Sequence, residues 1–97
     1  MTVTIHPLAG EELFGSIEFY AENGGKDLAR AFLDEFERVV GLIRVYPDIG
    51  TPWKKTARRL HFRKFPFSVV YTASGNTITI VAIPHHRRKP GYWKNRF

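Results

Sequence analysis

The pattern of hydrophobic and polar positions divides the chain into a helical first half and an extended second half. Apolar residues recur every three or four positions over residues 13–21 and again over residues 29–46. This spacing predicts two amphipathic helices. The run Asn23-Gly24-Gly25 lies between them and predicts a tight turn, so an antiparallel helical hairpin is the simplest arrangement. Glu11 and Glu12 are expected in the first helical turn, where carboxylates suit the positive end of the helix dipole.

Short alternating segments predict strands on both sides of this hairpin. Val3-Thr4-Ile5 predicts a first strand that ends at Pro7. After the hairpin, residues 59–63, 68–73 and 77–84 predict three more strands, the last two joined by a turn at residues 74–76. The last strand is apolar on both faces and is therefore expected to be central. Its alternation places Ile78, Ile80 and Ala82 on one face, and Val81 and Ile83 on the other.

These elements predict an α+β fold of order β-α-α-β-β-β, with a basic, aromatic tail at residues 85–97. The helical hairpin should cover one face of a small, mostly antiparallel sheet. A length of 97 residues fits a single domain spanning residues 1–97. The absence of cysteine excludes a disulfide scaffold, a cysteine zinc site and a thiol nucleophile.

Charge is distributed unevenly along the chain. Residues 1–53 carry four basic and nine acidic residues, whereas residues 54–97 carry eleven basic residues and no acidic one. The second half therefore predicts a polyanionic partner, either a nucleic acid or an acidic protein. No pattern typical of a signal peptide or of a membrane-spanning helix is present, so a cytoplasmic location and no membrane partner are expected.

Two groups of basic and aromatic residues are candidates for contact with a target. Alternation places Arg59, His61 and Arg63 on one face of a strand. In the tail, cations that can neutralise phosphates alternate with rings that can stack on bases. Alternatively, Tyr92 and Trp93 fold back onto the domain and the basic residues form a solvated edge. The residues expected to bind a target or nucleic acid are Arg59, His61, Arg87, Arg88, Tyr92 and Trp93.

Such a basic surface could also cleave RNA without a metal ion. The 2′-hydroxyl would attack phosphorus while a base removes its proton and cations stabilise the phosphorane. The candidate cations are Arg63, Arg87 and Arg88. The candidates for proton transfer are Lys54, Lys55, His85, His86 and Tyr92, provided that a neighbouring cation lowers a lysine or tyrosine pKa. The competing interpretation is that the basic half only complements an acidic binding protein.

Metal or cofactor chemistry is not expected. His85 and His86 are adjacent, and adjacent side chains of an extended segment point to opposite faces, so they do not form a metal pair. The second half has no carboxylate that could orient a histidine in a Ser-His-Asp arrangement.

Taken together, the motifs resemble the RelE/ParE superfamily of toxins from bacterial type II toxin–antitoxin modules. The resemblance covers the whole chain and includes the strand that ends at Pro7, the run Phe65-Pro66-Phe67 and the apolar strand at residues 80–83. The most specific part is the ending His86-Arg87-Arg88-Lys89-Pro90-Gly91-Tyr92-Trp93. This ending and the long hairpin resemble the ParE-like branch, which is often described as plasmid stabilisation proteins.

The resemblance implies an acidic antitoxin, encoded beside the toxin gene, whose C-terminal segment wraps the helices and sheet in a hetero-oligomer. ParE-like members inhibit DNA gyrase and have no established catalytic set, which implies a toxin that is not an enzyme. RelE-like members instead cut mRNA on the ribosome, which implies an endoribonuclease. Carried over by position, the RelE-like set is Lys54 or Lys55, Arg63, Arg87 or Arg88, and Tyr92, with His86 as a further candidate. A non-toxic nucleic-acid-binding module is the third hypothesis.

Overall fold

The computed structural model describes residues 1–54 and 56–97. Lys55, one candidate for proton transfer, lies outside the described residues. In chain order the elements are β1 (Thr2–Ile5), α1 (Pro7–Val45), β2 (Thr51–Pro52), β3 (Arg58–His61), β4 (Ser68–Ser74), β5 (Thr77–Ala82) and a short 3-10 turn (Lys94–Arg96).

Helix α1 is a hairpin of two arms that reverses direction at Gly25. Gly25 has φ 83° and ψ 171°, a conformation outside the helical region that essentially only glycine adopts. The rings of Tyr20 and Phe32 lie on opposite sides of this break with centroids 5.2 Å apart. A straight helix would separate these two residues by about 18 Å along its axis, so the arms must fold back on each other. The predicted helical hairpin is confirmed.

The first arm begins earlier than the sequence pattern predicted. It starts at Pro7, whose fixed φ suits the first helical position, and Nδ1 of His6 accepts a hydrogen bond from the Leu8 amide at 3.1 Å. The expectation that Glu11 and Glu12 lie in the first turn is therefore wrong. Glu12 lies more than a turn inside the arm, where its side chain contacts the sheet and the tail.

The five strands form one mixed sheet in the order β1-β5-β4-β3-β2. Strand β1 runs parallel to β5, and the other pairs are antiparallel. Strands β4 and β5 are joined by a tight turn in which Gly75 has φ 59°. Strand β5 lies between β1 and β4, which confirms its predicted central position.

A bulge in β5 changes which side chains face the helices. Tyr71 pairs with Ile80 and Val70 pairs with Ala82, so the intervening Val81 is the additional residue. Ile83 consequently packs in the core on the helix side, whereas Ala82 packs on the opposite face. The predicted faces of Ala82 and Ile83 are therefore wrong, because strict alternation does not allow for the extra residue.

Each face of the sheet carries its own apolar core. The larger core lies between the sheet and both arms of α1, and includes Leu13, Phe32, Val39, Ile43, Phe67, Tyr71 and Ile80. The smaller core, on the other face, consists of Ala57, Val70, Val81, Ala82 and Trp93, with Trp53 and Tyr92 packed against it. The tail therefore folds back over the sheet. Across residues 1–54 and 56–97, no helix combines the length and apolarity that a membrane crossing requires.

Candidate functional site

A carboxylate on the first arm of α1 holds the C-terminal tail in place. Glu12 accepts two hydrogen bonds from the Arg96 guanidinium, at 3.1 and 2.8 Å, and one from the Tyr92 hydroxyl at 2.9 Å. It also accepts a hydrogen bond from the Ile83 amide at 2.9 Å. Burial alone would raise the pKa of Glu12, but these hydrogen bonds and the Arg96 charge hold it below its ordinary value. We call this arrangement the Glu12 clasp.

Beside the clasp lies a mostly apolar groove of about 370 Å³, bounded by the first arm of α1, the end of β5 and the tail. Phe19 lines it and is 59% exposed, although it is a large hydrophobic residue. The other lining residues are Glu12, Gly15, Ser16, Tyr20, Phe67, Ile83, His85, Arg88 and Tyr92. We call this cavity the apolar groove.

A second cavity, of about 120 Å³, lies between the tail and strands β3 and β4. Its polar lining residues are Arg59, His61, Ser68, His85, His86, Arg88, Lys89 and Tyr92, and its apolar walls include Trp53, Val70 and Trp93. None of these residues is acidic. We call it the basic cavity. Arg88 and Tyr92 line both cavities, so the tail forms a shared wall between them.

Two histidines in the basic cavity share one buried hydroxyl. The Ser68 Oγ lies 2.6 Å from Nδ1 of His61 and 3.0 Å from Nε2 of His86, and the two rings meet edge to face with centroids 4.8 Å apart. A hydroxyl has a single hydrogen to donate, so it can donate to only one imidazole and must accept from the other. Burial lowers the pKa of His61, and the nearby Arg59 and His86 add to this effect.

Two guanidinium groups in the same cavity are stacked on aromatic rings. The Arg59 Cζ lies 4.0 Å from the centroid of the Trp53 ring, and the Arg88 Cζ lies 3.9 Å from that of Tyr92. Stacking of this kind fixes a guanidinium while leaving N–H groups at its edge available. The buried Nε of Arg59 has no hydrogen-bond partner among the described residues.

The structure brings most of the predicted site residues together, but not all. Arg59, His61, His86, Arg88, Tyr92 and Trp93 all border the basic cavity. Arg63 does not, because β3 ends at His61 and the alternation stops there. The Arg63 amide instead donates to the Glu35 carboxylate at 2.5 Å, and the residue lines a separate depression beside Arg38. The predicted basic row of Arg59, His61 and Arg63 is therefore wrong at Arg63.

Neighbouring residues of the tail also lie in different environments. Arg87 is exposed and borders neither cavity, and its amide donates to Nδ1 of His85 at 3.0 Å. His85 packs edge-on against Phe67, with centroids 5.0 Å apart, whereas His86 packs against His61. Lys54 is exposed and close to the tail, since a Cβ added at Gly91 would come within 2.8 Å of its Nζ.

The environments of the two rings at the end of the tail argue against base stacking by Trp93 and against proton transfer by Tyr92. Trp93 is only 1% exposed, so it cannot stack on a base; the alternative in which it folds back is correct. Proton transfer by Tyr92 requires that a neighbouring cation lower its pKa. Burial raises that pKa instead, and the Glu12 carboxylate raises it further, so Tyr92 is a protonated hydrogen-bond donor.

Glu12 and Ser68 are the site residues that the sequence pattern missed. Glu12 lies three positions after the buried Ala9 and therefore falls near the apolar face of its helix. Ser68 is the only polar residue in the run Phe65–Val70, and it is completely buried. A polar residue inside an apolar pattern is the signal that could have identified each of them.

Comparisons with known proteins agree with this architecture. Residues 3–90 match the family model described as the ParE toxin of the type II toxin–antitoxin system parDE. A chain of the solved structure described as the chromosomal ParDE TA system from P. aeruginosa superposes with a TM-score of 0.74 at 19% sequence identity. The superposition covers 88% of the present chain and 95% of that chain. Comparison with curated proteins finds no match.

Proposed function

The chain belongs to the ParE toxin family of type II toxin–antitoxin systems, as its sequence motifs predicted, and we propose that it arrests growth by inhibiting DNA gyrase. We propose further that a cognate acidic antitoxin neutralises it by occupying the apolar groove. The single observation that most supports a binding mechanism over RNA cleavage is that the residues expected for cleavage do not form a complete set in the basic cavity, although His86, Arg88 and Tyr92 border it.

Two contacts remove candidate residues from a cleavage site. Arg63 is bound through its amide to Glu35, away from the basic cavity, so it does not join the tail cations. The Tyr92 hydroxyl donates to Glu12, and its pKa is raised, so it is a poor general base. An inhibitor that acts by binding needs neither group.

The apolar groove supports the proposed antitoxin contact. Phe19, Phe67 and Ile83 provide an apolar surface, while His85 and Arg88 supply basic groups at its border. An amphipathic segment with apolar anchors and acidic flanks would complement such a groove. The eleven basic residues of the second half would add long-range attraction between the toxin and an acidic partner.

Supercoiling and translation assays test the target. Purified toxin is expected to inhibit ATP-dependent supercoiling by gyrase and to leave translation of a reporter mRNA intact. Addition of the antitoxin should restore supercoiling. Toxin that arrests growth but does not inhibit gyrase at any excess would refute the proposal, and cleavage of reporter transcripts within codons would assign the RelE-like activity instead.

Two helical glycines provide a matched test of the groove. Gly15 borders the groove and Gly41 does not, and at both positions an added Cβ would meet no heavy atom within 4 Å. Gly15→Trp should fill the groove and weaken antitoxin binding by about tenfold or more, whereas Gly41→Trp should leave the affinity unchanged within about twofold. Isothermal titration with the antitoxin measures both. Equal affinities for the two variants would show that the antitoxin binds elsewhere.

A further inference from the structure

We propose that the basic cavity binds a phosphate group between the guanidinium groups of Arg59 and Arg88. This site is separate from the proposed inhibition of gyrase and does not depend on it. The ligand would be an inorganic phosphate or the phosphate of a single-stranded nucleotide.

The two guanidinium groups are held in position before any ligand arrives. Arg59 lies against Trp53 and Arg88 against Tyr92, each with its Cζ about 4 Å from the ring centroid. Because stacking engages the face of a guanidinium, its edge remains able to donate two parallel hydrogen bonds to an oxyanion. Little side-chain freedom would be lost on binding, which favours a specific site over a diffuse basic patch.

The positive charge in the cavity is not neutralised by the protein. Arg59, Arg88 and Lys89 line it, and none of the ion pairs among the described residues involves them. Those pairs join Arg30 to Asp34, Arg38 to Glu35, Arg58 to Asp48 and Arg96 to Glu12. Three uncompensated cations around a concave surface focus a positive potential on it, which attracts an anion.

The neutral groups of the cavity add donors for the same ligand. A phosphate close to His61 would favour its protonated form, because a nearby negative charge stabilises imidazolium. It would thus offset the effect of burial and of Arg59, which lower the pKa of free His61. A cavity of about 120 Å³ accommodates a single phosphate group, so it would receive a free phosphate or one group of an extended strand.

Histidine ring signals provide the direct test on the full chain. Side-chain ¹H–¹⁵N spectra should show saturable shifts of His61 and His86 on titration with sodium phosphate, and no saturable shift with sodium chloride at matched ionic strength. The pKa of His61 should also rise in the presence of phosphate. Phosphate shifts that increase linearly without saturation, or that the chloride titration reproduces, would overturn the proposal.

Adjacent arginines provide matched variants. Arg88 borders the cavity and Arg87 does not, and both are exposed, so either substitution should leave the fold intact. Arg88→Gln should weaken phosphate binding by about tenfold, the loss typical of a charge-assisted hydrogen bond, whereas Arg87→Gln should change it less than about twofold. Arg59→Lys keeps the positive charge but removes the planar guanidinium that can donate two parallel hydrogen bonds, so it should weaken phosphate binding as well. Equal losses for Arg87→Gln and Arg88→Gln would indicate a diffuse attraction and overturn the site.

The source of the phosphate is identified by parallel titrations with inorganic phosphate, uridine 3′-monophosphate and a short single-stranded oligonucleotide. Equal affinities for the three would identify a site for a single phosphate group from any source. Tighter binding of the oligonucleotide, still sensitive to Arg88→Gln, would identify a contact to a nucleic-acid strand. Oligonucleotide binding that is insensitive to both Arg88→Gln and Arg59→Lys would overturn the proposal.

Discussion

Replacing Glu12 by glutamine tests how far one carboxylate holds the tail on the domain. Glu12→Gln keeps the size of the side chain but removes its negative charge. The Arg96 guanidinium then loses its only ion-pair partner among the described residues, and the amide cannot accept all four hydrogen bonds with equal strength. The substitution therefore leaves a largely buried charge uncompensated.

The expected loss follows from the burial of the pair. The side chains of Arg96 and Glu12 are 12% and 17% exposed. Breaking a fully buried ion pair costs about 3–5 kcal/mol, and the remaining exposure places this pair near the lower limit, at about 3 kcal/mol. For a domain of this size, that corresponds to a fall in Tm of roughly 12–24 °C.

Urea denaturation followed by tryptophan fluorescence measures the loss, because Trp93 belongs to the tail and is buried against the sheet. Glu18→Gln is the matched control: it removes the same charge from an exposed position on the same helical arm and should change the free energy of unfolding by less than about 0.5 kcal/mol. Adding Arg96→Met to Glu12→Gln should recover part of the loss, because no unpaired charge then remains.

The pH dependence has a defined sign. The folded-state pKa of Glu12 is below its ordinary value, so its contribution to stability is present above the unfolded pKa and is lost as pH falls through the folded pKa. Wild type should therefore lose more stability than Glu12→Gln on acidification below about pH 4.5. If Glu12→Gln and Glu18→Gln unfold at the same urea concentration, or if the acid profile of Glu12→Gln coincides with that of wild type, the clasp does not stabilise the fold.

Two further substitutions test the core and the helical hairpin. Tyr71→Phe should lower the free energy of unfolding by about 1–3 kcal/mol in urea denaturation. The Tyr71 hydroxyl donates to the Pro47 carbonyl at 2.7 Å and accepts from the Gly50 amide at 2.9 Å, and the variant loses both hydrogen bonds. A variant as stable as wild type would show that both backbone groups find other partners. Gly25→Ala should destabilise the protein by about 1–3 kcal/mol, because Gly25 has a φ of 83°. Gly41→Ala, in a regular helical turn, should instead stabilise it by up to about 1 kcal/mol. Equal Tm values for the two variants in differential scanning calorimetry would contradict this interpretation.

The fold was largely predictable because most local patterns agree with the final packing. The apolar spacing on both sides of Gly24-Gly25 defined the hairpin, and the two-sided apolar pattern of residues 77–84 identified the central strand. The errors arose where one residue changes the local geometry. Val81 is an extra residue in the β4–β5 pairing, and it reverses the faces of Ala82 and Ile83. No local sequence pattern predicts such an insertion.

The site was less predictable because it depends on contacts between distant parts of the chain. Basic charge and alternation pointed to Arg59 and His61, which border the basic cavity. The same alternation wrongly added Arg63 to this row, because the strand ends at His61. Composition could not show that Tyr92 lies beside Glu12, eighty positions earlier in the chain. That contact turns a candidate base into a hydrogen-bond donor, and only the tertiary structure reveals it.

The two cavities depend on the same feature of the tail, which folds back over the sheet instead of extending into solvent. Trp93 is buried against one face of the sheet, and Arg88 and Tyr92 in the same tail each border both cavities. The Glu12 clasp pairs with Arg96 and leaves Arg88 and Lys89 without a carboxylate among the described residues. Part of the positive charge of the second half therefore lies at the wall between the basic cavity and the apolar groove. An acidic protein segment in the apolar groove and a phosphate group in the basic cavity would contact opposite sides of the wall formed by Arg88 and Tyr92. The strongly basic composition is therefore compatible with both kinds of ligand.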